Sequence, residues 1–490
     1  MCKFCDADRP GLTRAPAETG GGAARAALSA ASAPAALPAG IGQPRRRTLI
    51  RGGSVLSMDP KVGNFPRGDV LIEGAKILAV GQTLDAGDAG VIDASGHVVM
   101  PGFIDTHHHQ FETALRAILA DAILVNDGRP ESAANYYEWM LQKFSLLYRP
   151  EDVYISELFG SISQIDAGVT TVMDVSQIHH SPEHSDAAIS ALRDAGRRAV
   201  FGYFEGWGER AQYPADARRI RAQHFASDDQ LLTMVMGAEI YLPGHEAAWA
   251  MGRELGLPLA MHIVGTFGMA PTFDALAEAG QFGPDCIFIH MTGMSDMAWQ
   301  KAADAGAHVS LSVPIEMQMR HGVPPIQKCL NLGMLPSLSS DVECTMTADP
   351  FTQMRSAITL QRMFANDLAL NGQDYPRLLS AVDVIEMATI GGARGLKLDH
   401  RTGSLTPGKE ADIVLLDADA LNVAPLNHVP GAVVTLMERS NVATVICAGQ
   451  VRKWQGSMLG HDIVRLRSEL EASRDHLLDK AGMTLDLFRA

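Results

Sequence analysis

A chain of 490 residues, 47% of them hydrophobic, is long enough to bury a barrel-sized core and a smaller domain beside it. Its formal net charge of −15 speaks against nucleic acid or an anionic membrane surface as partner, because both are bound through basic patches. No apolar run reaches the roughly 18 residues of a membrane-crossing helix, so a water-soluble, cytoplasmic protein is expected.

Residues 1–47 are rich in Ala, Gly, Pro and Ser and close on Arg45, Arg46 and Arg47, a composition that builds no core and is expected to form a disordered tail. An export signal would carry its charges before the small-residue run, whereas these arginines follow it. Cys2 and Cys5 make a lone Cys-x-x-Cys pair. Cys286, Cys329, Cys344 and Cys447 are scattered in apolar or mixed surroundings and do not form a disulfide framework.

Residues 48–97 carry short β-branched segments between turns, such as Thr48-Leu-Ile-Arg and Asp69-Val-Leu-Ile-Glu-Gly. Similar segments return in residues 400–457, as Asp412-Ile-Val-Leu-Leu-Asp and Val442-Ala-Thr-Val-Ile-Cys. This spacing suits a small β-sandwich built from both ends of the chain. Between them, residues 98–399 alternate apolar strands with helical stretches, the rhythm of an α/β protein with a (β/α)8 barrel of the TIM type. The eight strands are expected at 98–109, 168–176, 198–205, 232–242, 257–264, 286–292, 308–314 and 335–343. Residues 458–490 should hold an amphipathic helix over 462–480, capped by Asp462, with Leu466, Leu470 and Leu477 facing the barrel or a partner subunit.

Barrel enzymes place their chemistry at the carboxyl ends of the strands, so polar residues there need a reason. The first strand ends in Asp105-Thr-His107-His-His109. Side chains alternate along a strand, so His107 and His109 point the same way and can share a divalent cation while His108 points elsewhere. The remaining ends carry Asp174, Glu205, Glu239, His262, His290, Ser312 and Asp341. Three imidazoles and a carboxylate from this set, His107, His109, His262 and Asp341, would leave a zinc-like ion an open position for water.

Over residues 48–460 the chain resembles the amidohydrolase superfamily, and within it the branch of cytosine, guanine, 8-oxoguanine and S-adenosylhomocysteine deaminases and triazine hydrolases. The resemblance rests on Pro-Gly-Phe-Ile-Asp105-Thr-His107-His-His109, the His262 and His290 strand ends, Ser340-Asp341, and the return motif Gly403-Ser-Leu-Thr-Pro-Gly-Lys-Glu-Ala-Asp-Ile-Val-Leu-Leu-Asp417. It implies that His107, His109, His262 and Asp341 hold one divalent metal, zinc first, with iron or manganese as alternatives. It further implies that His290 meets the attacking water or the developing oxyanion, that Asp341 doubles as general base, and that the protein is a homo-oligomer acting on a small molecule.

The chain departs from the branch in two places. Where relatives place Glu three residues after the fifth-strand His, Gly265 stands here. Where they often read Pro-x-Ser-Asn after strand seven, this chain reads Pro314-Ile-Glu316-Met317, which makes Glu316 a candidate acid or substrate contact. Further substrate contacts are expected from Gln110, Glu112, Arg116, Glu205, Trp207 and His321. A second metal would need a bridging residue from the fourth strand, commonly a carbamylated lysine. Residues 232–242 contain none, and Glu239 is the only ionisable candidate, so one metal is expected. His179, His180 and His184 leave a surface loop, a gate and a second-metal site open as readings.

The expected activity is displacement of an amino group or halogen from an N-heterocyclic compound by a metal-activated water. Two alternatives stay open: hydrolysis of an amide or cyclic amide at the same site, which needs no proton shuttle to a ring nitrogen, and a barrel that binds without turnover.

Overall fold

A computed structural model describes residues 36–38, 40, 41, 46–227 and 229–488. The expected tail, with Cys2 and Cys5, lies outside these residues apart from the few before Thr48. Strands β1 (Arg47–Val55), β2 (Phe65–Glu73), β3 (Lys76–Gly81), β4 (Gly90–Asp93) and β5 (His97–Pro101) come first. Next come β6 (Phe103–His108), β7 (Val169–Ser176), β8 (Arg198–Tyr203), β9 (Leu232–Gly237), β10 (Leu259–Val264), β11 (Cys286–Thr292), β12 (His308–Leu311) and β13 (Ser337–Leu338). The chain then returns through β14 (Ile413–Asp417), β15 (Val442–Cys447), β16 (Gln450–Trp454) and β17 (Ser457–Met458).

The strands from the two ends of the chain form one branched, mixed sheet in the order β17-β16-β15-β14-β5-β1-β2-β3, with β4 attached to β1. The branch has a local cause. Thr48–Arg51 of β1 runs parallel to β4, whereas Ser54 and Val55 pair with β5. Between these halves lies Gly52, whose φ of +79° is open to glycine and strained for other residues, and there the strand changes partners. Ile50, Val70, Ile72, Val99, Ile413 and Leu415 fill the core of this domain.

The eight strands β6 to β13 lie in chain order as a parallel sheet. It is joined end to end where His108 bridges Asp341, through Asp341 N–H to the His107 carbonyl at 2.9 Å and His109 N–H to the Asp341 carbonyl at 2.8 Å. The seam between first and last strands is therefore made by the backbone of residues expected to carry ligands.

One boundary differs from expectation. The segment 98–109 is two strands: β5 pairs antiparallel with β14 in the small domain, and β6 opens the barrel. The joint is Gly102, where a Cβ would stand 2.2 Å from the Thr170 side chain, so only glycine lets the chain pass. The fourth, seventh and eighth strands are also shorter than expected, ending at Gly237, Leu311 and Leu338, because polar residues that follow leave the ladder for other partners: Glu239 for His262, Ser312 for His107, and Asp341 for the backbone of His107 and His109.

Domain and barrel are tied together by buried charge. Arg198 on β8, fully buried, donates to Asp412 at 3.0 Å and also pairs with Glu410, which Arg401 meets at 2.8 Å. These acids belong to the return motif, whose sequence thus serves the interface. The terminal helix Ile463–Lys480 has the Asp462 cap expected, accepting from Arg465 N–H at 3.1 Å, and lays Leu466 against Ile155, Leu158 and Ile162 of the helix Pro150–Asp166. Among the described residues no helix is long and apolar enough to cross a membrane.

Candidate active site

His107 and His109 leave the end of β6, His262 comes from β10, His290 from β11, and Asp341 follows β13. Their polar atoms converge. His107 Nε2 lies 3.0 Å from His109 Nε2, 3.1 Å from His262 Nε2 and 3.5 Å from Asp341 Oδ1, which is also 3.5 Å from His109 Nε2. Such separations are those of atoms sharing one small cation with bonds of about 2.0–2.2 Å.

The outer nitrogens show why the inner ones face inward. His109 Nδ1 is 2.8 Å from the Val175 carbonyl, which can only accept, so that nitrogen carries the proton and Nε2 keeps its lone pair. His262 Nδ1 is held at 2.6 Å by Glu239, and the same carboxylate accepts from the His262 main-chain N–H at 3.2 Å. Ser312 Oγ stands 3.4 Å from His107 Nδ1. Burial, with the neighbouring imidazoles, holds His107 and His109 well below the usual histidine range, so both are neutral and able to ligate. Burial also works against the His262 cation, but the Glu239 carboxylate outweighs it and lifts this histidine.

His290 sits slightly apart. Its Nε2 is 3.5 Å from Asp341 Oδ2, and its Nδ1 is 3.0 Å from Glu316 Oε1, itself fixed by the Ser312 N–H at 2.9 Å. The backbone at His290 and Asp341 is left-handed, with φ of +68° and +65°, and the β10–β11 register slips beside His290. A bulge of this kind re-aims a side chain that a regular strand would turn away. Asp341 Oδ2 is buried and has no hydrogen-bond partner among the described residues. An unpaired carboxylate oxygen beside inward-facing imidazole lone pairs is a donor set matched to a cation.

These groups form the floor of a cavity of about 670 Å³. Of the expected substrate contacts, Glu205, Trp207 and His321 line it. Gln110, Glu112, Arg116 and Glu316 do not, which corrects their placement. After His109 the chain enters the short helix Gln110–Leu115 and carries these side chains behind the wall. There Gln110 meets Glu157 and Arg197, Glu112 accepts from Tyr136 Oη at 2.7 Å, and Arg116 pairs with Glu343 at 2.8 Å. Glu316 reaches the site only through His290. Glu239, considered as a metal bridge, turns its carboxylate to the outer nitrogen of His262 and does not join the close cluster of His107, His109, His262, His290 and Asp341.

Nor is the histidine segment a surface loop. His179 and His184 are buried and His180 half-buried: His180 and His184 place ring nitrogens on the Ser145 and Tyr148 carbonyls and tie the loop after β7 to the segment before the helix Pro150–Asp166, while His179 meets Ser185 Oγ and the Gly202 carbonyl of β8. Gly265 packs on Gly293, where a Cβ would meet its Cα at 3.0 Å. Several cavity residues were missed in the sequence: Tyr136, Gln142, Gln177, Tyr241 and Phe267. Aromatic residues clustered between β6 and the next helix, as Tyr136-Tyr137, were the available signal.

Comparison with known proteins agrees with this fold. The model of the amidohydrolase family matches residues 98–452. The chain is 27% identical over 453 residues to a 5'-deoxyadenosine deaminase of Methanosarcina acetivorans, covering 89% of this chain and 99% of that one. It is 27% identical over 450 residues to a 5-methylthioadenosine/S-adenosylhomocysteine deaminase of Desulfitobacterium hafniense, covering 87% and 97%. Among solved structures, an adenosine deaminase from Xanthomonas campestris with bound zinc superposes with a TM-score of 0.76 at 22% identity, covering 89% of this chain and 100% of the other. A mutant atrazine chlorohydrolase from Arthrobacter aurescens, complexed with zinc and atraton, gives 0.76 at 20%, covering 87% and 100%. At these identities the two structures speak for the fold.

Proposed function

The chain belongs to the amidohydrolase family, and on that footing we propose that it is a metal-dependent, deaminase-like hydrolase that replaces an amino group, or by the same displacement a halogen, on an N-heterocyclic small molecule. The observation that carries the reading is the inward convergence of His107, His109, His262 and Asp341, with His290 beside Asp341. These four residues would hold one divalent cation, zinc first, which would polarise the reacting group and bring the pKa of water toward neutrality.

The side chains divide the remaining work. Burial pushes the Asp341 carboxyl up to about 7, with His262 pulling it down, and its Oδ2, which has no hydrogen-bond partner among the described residues, is free to accept a proton from water. His290 Nε2, 3.5 Å away, can donate to the oxygen that gains charge on the attacked carbon, because Glu316 fixes the ring from its other nitrogen. In the balanced reaction, water gives hydroxyl to the carbon and its proton to the departing amine, which leaves as ammonia.

Gly265 favours a second reading. With Gly293 against it and no carboxyl at this position, hydrolysis of a cyclic amide on the same floor needs no proton delivered to a ring nitrogen. Ammonia release by the zinc-loaded protein from aminated purines, pyrimidines, pterins and triazines tests the first reading, and silence there with turnover of cyclic amides would establish the second. Under either, Asp341→Asn should lower kcat by about 10²–10⁴-fold, and retained turnover would remove Asp341 from the chemistry.

A further inference from the structure

The cavity walls have an unusual charge balance. Among the described residues no lysine or arginine lines the cavity, and apart from Asp341 the only acidic group there is Glu205, two residues past β8. Glu205 is buried, yet only one of its oxygens is held: Oε1 accepts from Gln177 Nε2 at 2.9 Å and from Tyr241 Oη, and Gln177 also donates to Tyr241 Oη at 2.9 Å. Oε2 is buried and has no hydrogen-bond partner among the described residues. The mouth above it is apolar: Tyr137, Leu146, Trp207 and Tyr241 expose large hydrophobic surface and line the opening.

We propose that Glu205, braced by Gln177 and Tyr241, is the substrate-recognition carboxylate of this site, accepting an N–H of an uncharged or cationic N-heterocycle whose apolar substituent lies against the mouth, and that the cavity rejects phosphorylated or carboxylated counterparts. This deepens the hydrolase reading and rests on it. A buried acceptor with one oxygen unpaired is destabilised until a donor arrives, so a ligand N–H gains more there than at a solvated carboxylate. Burial, and then the nearby Glu239, push Glu205 up to about 7, the mark of a carboxyl that lacks a cationic partner within the protein. Away from the metal position on the floor, a ligand phosphate or carboxylate would meet no lysine or arginine among the described lining residues and would face the Glu205 carboxylate. The apolar mouth adds affinity for hydrocarbon or aromatic substituents in proportion to the area they bury.

The test uses the zinc-loaded full chain and two readouts. Calorimetric binding of benzimidazole, its phenyl derivative and its carboxylate, none carrying a leaving amine, reads recognition without turnover. The phenyl compound should bind tightest, and the carboxylate at least about tenfold more weakly than the parent, the scale of an unpaired buried charge. Glu205→Gln should weaken the neutral ligands about tenfold or more, with Glu205→Asp between, as for loss of one charge-assisted hydrogen bond. The comparison within the unmodified protein stands even if a variant fails to fold. Equal binding of the parent and the carboxylate would overturn the proposal, as would neutral-ligand binding indifferent to Glu205→Gln.

Kinetics on any aminated heterocycle that releases ammonia give the second readout. For Glu205→Gln, a raised KM at little-changed kcat supports recognition, whereas a fallen kcat at constant KM would reassign Glu205 to proton transfer and overturn it. Failure of ammonia release across the panel, with the binding pattern intact, would reject the deaminase reading and leave the recognition site standing.

Discussion

Glu239 shows how one carboxylate can set the properties of a site it does not enter. It receives both the ring and the main-chain N–H of His262, so it fixes where the ring points and makes its inner nitrogen more basic. Glu239→Gln keeps the shape and an acceptor but removes the charge. Zinc affinity should fall about ten- to hundredfold, the usual weight of such an outer partner, as read by competition with a chelator. Unchanged affinity would show that His262 is oriented by its strand alone. Glu316 holds the outer nitrogen of His290 with the proton the other way round: burial pushes its carboxyl well above the usual range, with the Ser312 N–H drawing it back, so the acid donates to Nδ1 and leaves the N–H on Nε2.

At the scale of the elements, the decisive features are two places where the chain stops being a regular strand. The bulge at His290 and the seam at Asp341 put left-handed backbone under two residues that meet over 3.5 Å. Gly102 does the corresponding work at the domain joint, with Thr170 pressed against the position a Cβ would take. Gly102→Ala should therefore destabilise the protein by about 1–3 kcal/mol through overpacking. A Tm equal to that of the unmodified chain would mean that β6 and β7 separate freely there.

The same irregularities mark what could be read from sequence. The proposed ligand set was legible because apolar runs locate strands and strand ends locate barrel chemistry, so the convergence of His107, His109, His262 and Asp341 follows from pattern. The neighbours of His109 were not, because the short helix at Gln110 replaces an alternation of two with a tight turn, and sequence spacing no longer tells which side chain faces the cavity. Glu205 was legible as a rim residue. Its braces were not, since Gln177 and Tyr241 come from separate loops and meet only in the folded chain.

For the whole molecule, stability should depend on pH through groups held in the wrong charge state for water. Glu410, in the latch joining barrel and small domain, loses solvation on burial, but Arg198 and Arg401 more than compensate and its folded pKa is lowered. That contribution is present above the unfolded pKa, near 4.5, and is lost as pH falls through the lower folded value. Glu112 acts in the opposite sense. Burial behind the cavity wall, only partly offset by the Tyr136 hydroxyl, pushes it up to about 8. Between about 4.5 and about 8 the unfolded chain has released this proton while the folded chain keeps it, so stability falls as pH rises through that window and levels off above it. Glu112→Gln, which keeps an acceptor for Tyr136 but cannot ionise, should remove a slope of up to about 1.4 kcal/mol per pH unit. Denaturant unfolding at several pH values across the window measures it. Parallel curves for the two proteins would show that Glu112 titrates in the folded state as it does in water, and that the loss of stability toward alkaline pH comes instead from mutual repulsion within a chain of net charge −15.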